Sequence, residues 1–99
     1  MSRSVTAVYS GTFDPITLGH EDVVYRAAQM FDKVVVAVAV AHHKKTMFTL
    51  EERLALAQEV TQDLGNVEVV SFNGLLCDFV HSQGARVFVR GLRSVTDYD

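Results

Sequence analysis

The chain has 99 residues, 48% of them apolar and 21% charged, which suits one core-forming domain and leaves too little chain for two. A net charge of −3 excludes a protein that coats nucleic acid, because such binding leans on surplus Lys and Arg; any anion site must be a local cluster of donors in an acidic chain. No signal peptide precedes the first strand, and no apolar run approaches the roughly 18–20 residues that span a bilayer, so a cytoplasmic protein with no membrane partner is expected.

From the N-terminus, Val5 to Tyr9 reads as a short buried strand. A loop with two glycines and one proline follows, and a helix opens near His20. Val23, Val24, Ala27, Ala28 and Phe31 form its apolar stripe. Val34 to Val40 is a central strand, β-branched and continuous, as expected where both faces are covered. His42, His43, Lys44 and Lys45 come next. Adjacent histidines point apart on most backbones, and no further ligand falls at suitable spacing, so this segment reads as a solvated loop rather than a metal site.

Thr49-Leu50-Glu51-Glu52 fits a capping box, Leu50, Leu54, Ala57, Val60 and Leu64 continue the second stripe, and Gly65 stands where a closing glycine belongs. Val67 to Phe72 is the third strand. Leu75, Leu76, Phe79 and Val80 make a third helical stripe closed by Gly84, with His81 on its exposed side. The single cysteine, Cys77, excludes an internal disulfide, suits a reducing compartment and reads as a small buried thiol. Arg86 to Val89 is the fourth strand, and Arg90-Gly91-Leu92-Arg93 leaves it.

The order β-α-β-α-β-α-β, with short connections and no repeat or linker, predicts one domain over residues 1–99: an α/β, Rossmann-like, doubly wound parallel sheet. In such sheets ligands gather beyond the carboxyl ends of the strands, where the winding reverses. With strand order 3-2-1-4, that point lies between strands one and four, whose exit loops are Ser10–Gly19 and Arg90–Arg93.

The loop's residues point to an anion. A helix start offers unpaired N–H groups and about half a positive charge, Gly19 admits close approach, and His20 in the first turn can donate a hydrogen bond. Gly11 and Thr12 add a second N–H and a hydroxyl. The loop is neither G-x-G-x-x-G nor a Walker loop, which argues against a generic NAD-binding domain. On these residues alone, an ordinary strand-to-helix turn with a capping histidine stays open beside the phosphate site.

As a whole, SGTFDPITLGH (10–20) resembles the first motif of the bacterial phosphopantetheine adenylyltransferases, within the T/H-x-G-H nucleotidyltransferase superfamily, the signature here being Thr17-Leu18-Gly19-His20. The resemblance continues through KKTMFTLEERLALA (44–57), GNVEVV (65–70) and VRGLRSVTDYD (89–99). It implies transfer of an adenylyl group from ATP to 4′-phosphopantetheine, giving dephospho-coenzyme A and pyrophosphate, with Mg²⁺ carried by the nucleotide and not by a protein cluster. It further implies direct attack of the acceptor phosphate on the α-phosphorus, without a covalent intermediate.

Residue by residue, the resemblance makes Thr12 the contact to the attacking phosphate and the nucleotide, and has Phe13 lend its backbone N–H to ATP. His20 stabilises the charge on the α-phosphate. Lys44 takes the phosphopantetheine phosphate, Arg90 binds on the phosphopantetheine side, and Leu76 touches the pantetheine arm. Gly91, Leu92 and Arg93 contact ATP. Asp14 is part of the motif without a chemical role; capping, or an Asx turn within its own loop, is the alternative. The resemblance also implies hexameric self-association and binding of coenzyme A.

Ser10 and Thr46 stand where the family often has proline, which predicts slightly looser loops. The family pattern runs on beyond Asp97-Tyr98-Asp99, so a fragment is expected, lacking a fifth strand, an ATP-binding carboxylate and a Ser/Thr-rich triphosphate loop. Such a fragment would be of doubtful activity. The alternatives are a sister nucleotidyltransferase using CTP or an NMN-like acceptor, and a non-catalytic coenzyme A or nucleotide-binding module.

Overall fold

The computed structural model describes residues 5–40 and 45–73, with the backbone of 87–89. Its elements are β1 (Thr6–Gly11), α1 (Leu18–Met30), β2 (Lys33–Ala39), α2 (Leu50–Thr61), β3 (Val67–Phe72) and β4 (Val87–Val89). All strand pairs are parallel and the sheet order is β3-β2-β1-β4, the order expected from the sequence. The third helical stripe, with Leu75, Leu76, Cys77, Phe79, Val80, His81 and Gly84, lies outside the described residues.

β2 is central because its sequence tolerates no water. Val34, Val35, Val36, Ala37 and Val38 are all fully buried. Successive side chains alternate between faces, so Val34, Val36 and Val38 join Tyr9, Val24, Ala27 and Ala57, while Val35 and Ala37 join Val8 on the other side. Each buried valine contributes about 1.5–3 kcal/mol of transfer free energy, so this strand anchors a thin core. β3 departs from the expectation of a strand covered on both faces. It lies at the sheet edge, no residue in it is fully buried, and Glu68 and Ser71 face solvent.

Both helices open with capping boxes. At α2, the Thr49 hydroxyl accepts from the Glu52 N–H and the Glu52 carboxylate accepts from the Thr49 N–H, at 3.1 and 2.9 Å. α2 closes at Gln62 in right-handed conformation, and Leu64 N–H returns to Thr61 O. Gly65 is therefore not the helix cap; it belongs to the turn beyond. Among the described residues no helix is long and apolar enough to cross a membrane.

Candidate functional site

The carboxyl ends of β1 and β2 carry the polar corner of the molecule. Thr17 caps α1, its hydroxyl accepting from His20 N–H at 3.3 Å, while the Thr17 N–H donates to His20 Nδ1 at 2.9 Å. A backbone N–H can only donate, so Nδ1 is unprotonated and the neutral ring carries its proton on Nε2. No group among the described residues takes that Nε2–H. Capping thus occupies one nitrogen of the ring, and the other keeps its proton.

The ring's orientation is set by packing. Phe13, 3% exposed, meets the imidazole edge-to-face at 4.9 Å and meets buried Tyr9 likewise at 5.3 Å. Burial lowers the His20 pKa below its ordinary value, favouring the neutral donor. The Leu18 and Gly19 N–H groups, first in α1, have no acceptor among the described residues. Among the described residues a Cβ on Gly19 would meet only Thr17 Oγ1, at 3.7 Å, so none of them requires a glycine there. Gly11 is different: a Cβ there would stand 3.2 Å from the Phe13 ring, so its glycine makes room for that ring.

Phe13 has φ of 48°, the left-handed region that a bulky residue rarely enters. Two contacts missed in the sequence hold it. Asp14 accepts from Met47 N–H at 2.6 Å and from Phe48 N–H at 2.8 Å, so it ties its loop to the segment before α2 instead of forming a local Asx turn. Arg53, 3% exposed, reaches Thr12 O, Ala39 O and Phe48 O. Thr46, expected to loosen its loop, donates its hydroxyl to Phe48 O at 2.7 Å. Ser10 sits within β1, paired with Ala37.

Of the residues singled out in the sequence, Thr12, Phe13 and His20 come together on this corner. Lys44, Leu76, Arg90, Gly91, Leu92 and Arg93 lie outside the described residues, as do His42 and His43. β4 runs parallel beside β1 as far as the pair Tyr9–Val89, and β1 continues to Gly11. Lys45 is exposed. Among the described residues no group of three His, Cys, Asp or Glu side chains could hold a metal ion.

A parallel sheet wound outward from β1 defines a Rossmann-like α/β fold. Solved structures share it: the NadR protein in complex with NAD and AMP-PNP superposes with a TM-score of 0.67 at 20% identity, over 89% of this chain and 30% of that one. The lipopolysaccharide core biosynthesis protein of Thermoplasma volcanium GSS1 gives 0.62 at 21% identity, over 98% and 100%. The chain belongs to the cytidylyltransferase-like family, whose pattern matches residues 8–99. Over 95 residues it is 59% identical to the phosphopantetheine adenylyltransferase of Acidovorax sp. (strain JS42), covering 96% of this chain and 58% of that protein's length.

Proposed function

We propose that the chain belongs to an enzyme that transfers an adenylyl group from ATP to 4′-phosphopantetheine, forming dephospho-coenzyme A and pyrophosphate. The observation that carries this reading is the His20 ring: Nδ1 engaged by Thr17, the face packed on Phe13, and Nε2–H left over beside the open start of α1. The identity to the Acidovorax enzyme supports the choice of substrates.

In this reading an oxygen of the acceptor phosphate attacks the α-phosphorus of ATP. The new P–O bond forms as the bond to the bridging oxygen of the β-phosphate breaks, and pyrophosphate leaves with that electron pair. The protein supplies position and charge stabilisation. His20 Nε2–H and the Leu18 and Gly19 N–H groups face the negative charge, the Phe13 N–H holds a phosphate oxygen, and the Thr12 hydroxyl orients the attacking group. Lys44, Leu76 and Arg90 serve the phosphopantetheine side; Gly91, Leu92 and Arg93 serve ATP, where arginine forks suit phosphate oxygens. Mg²⁺ enters with the triphosphate. A cytoplasmic, self-associating enzyme, hexameric and responsive to coenzyme A, completes the proposal.

The test is pyrophosphate release by the full-length protein, assayed with ATP and 4′-phosphopantetheine and, separately, with CTP or an NMN-like acceptor. Turnover is expected with the first pair only. His20→Ala should lower kcat by about 10²–10³, the usual loss for one donor to transition-state charge. His20→Gln keeps an acceptor for the Thr17 N–H and guards against a folding artefact. Unchanged turnover in both variants refutes the role of His20, and turnover with CTP alone moves the reading to a sister cytidylyltransferase.

A further inference from the structure

The buried face of α2 is Arg53, Ala57 and Thr61, spaced by four residues, and its first member is a cation. Arg53 Nη1 donates to Thr12 O and to Ala39 O, each at 2.9 Å, and Nε donates to Phe48 O at 3.3 Å. Those carbonyls belong to three segments: the turn after β1, the end of β2, and the approach to α2. Among the described residues no carboxylate pairs with this guanidinium, since the ion pairs are Arg26–Asp22 and Lys33–Glu68. A buried charge that meets only carbonyl dipoles among the described residues is costly, so its placement calls for a return elsewhere.

That return follows from peptide geometry. The only cis peptide bond among the described residues is Asp14–Pro15, so the Thr12–Phe13 peptide is trans. In a trans peptide the C=O and the N–H point in opposite directions. Arg53 draws the Thr12 C=O inward, and the N–H of the same peptide, that of Phe13, is thereby turned outward, with no acceptor among the described residues. Asp14, the next residue, is held in turn by the Met47 and Phe48 N–H groups, so the left-handed Phe13 is fixed on both sides. A cation bound to the carbonyl also polarises the peptide and makes its N–H a better donor.

We propose that Arg53 is a positioning residue that aims and polarises the Phe13 N–H toward a phosphate oxygen of the nucleotide. This rests on the adenylyl-transfer reading for the identity of the ligand and on the geometry alone for the direction of the N–H. The test uses the full-length protein, labelled with ¹⁵N, as wild type, Arg53→Lys and Arg53→Gln. Without ligand, the Phe13 amide resonance should move in both variants. With ligand, KM for ATP should rise about tenfold, the scale of one hydrogen bond to a charged group, while KM for 4′-phosphopantetheine changes less than twofold. Arg53→Lys should recover little, because an ammonium cannot span three carbonyls.

A merely structural arginine would lower thermal stability and shift the Phe13 amide through the lost bond to Thr12 O, but would leave KM for ATP unmoved in the folded protein. An unchanged KM for ATP in the folded variants overturns the proposal. If neither variant folds, the wild type decides: the Arg53 Nε–H resonance should shift on ATP titration while that of exposed Arg26 does not, and a stationary Arg53 signal overturns it. If wild type binds no ATP, the adenylyl-transfer reading fails, and the unliganded Phe13 amide still tests the geometry: unmoved in both variants, it overturns the hold of Arg53 on that peptide.

Discussion

The two ends of the sheet are closed by different chemistry. At the amino ends of the strands, Asn66 Nδ2 donates to Ala28 O and Phe31 O at 2.9 and 3.2 Å, and the exposed Asp32 carboxylate accepts from Val5 N–H at 2.7 Å. Those contacts join the turn before β3 to the last turn of α1 and to the α1–β2 connection, and the latter to the start of β1. At the carboxyl ends a buried arginine, a carboxylate and the Tyr9 ring hold a left-handed phenylalanine and, packed on it, a histidine with one nitrogen unused among the described residues. Strained or over-determined backbone is the kind of feature that functional sites retain. One end of this fold is tied simply to hold; the other is tied so that particular N–H groups point away from it.

The sharpest way to break that contrast is to cut one tie at each end. Arg53→Met leaves three carbonyls without their donor and should cost about 3 kcal/mol of stability. Asn66→Ala leaves two carbonyls and should cost about 1–2 kcal/mol. Denaturant midpoints would measure both. Asn66→Ala should leave ATP affinity within twofold of wild type in the folded protein, and a tenfold loss there would erase the distinction between the ends.

How much of this could be read in the sequence depends on whether the signal lay in apolar letters. The strands followed from runs such as Val34–Val38, because burial on both faces leaves few other choices, while their order was taken from the doubly wound pattern and not from the letters. The α2 stripe is seen as read, with Ala57 buried and Leu50, Leu54, Val60 and Leu64 packed half-buried against the core, but the fully buried Arg53 and Thr61 are not part of that pattern. Polar letters read as solvent-facing, and nothing local signals that an arginine will meet carbonyls from Thr12, Ala39 and Phe48. Asp14 was hidden for the same reason, since its partners lie 33 and 34 residues away. The two capping boxes make the point once more. Thr49 with Glu52 matched a known signature, while Thr17 with His20 has the same hydrogen bonds with an unusual residue in the third position.

That pair of helix starts supplies a finer comparison. Thr17→Ala and Thr49→Ala should each cost about 1 kcal/mol, the ordinary loss of a threonine cap, measured by thermal or urea unfolding. Only Thr17→Ala should also alter the His20 ring, whose Nδ1 lies 3.1 Å from the Thr17 hydroxyl. Imidazole ¹⁵N shifts would register the change. Equal silence of those shifts in both variants would mean that the cap and the ring are uncoupled, and that the α1 box serves the helix alone.

The smallest effect expected is in pH dependence, and its sign follows from which form of His20 the fold prefers. Burial lowers its pKa, and the Thr17 N–H at Nδ1 also favours the neutral ring, so the folded state binds a proton less readily than the unfolded chain. Stability from this group is therefore fully present above the ordinary value near 6.5, and it is lost as pH falls through the lowered folded value. His20→Gln, which removes the imidazole, should flatten that acid slope. A proton titration of the His20 ring with a midpoint at or above 6.5 would contradict this assignment. It would return the imidazole to the status of an ordinary exposed cap, with both nitrogens open to water and no preference for the neutral donor that the corner is built to hold.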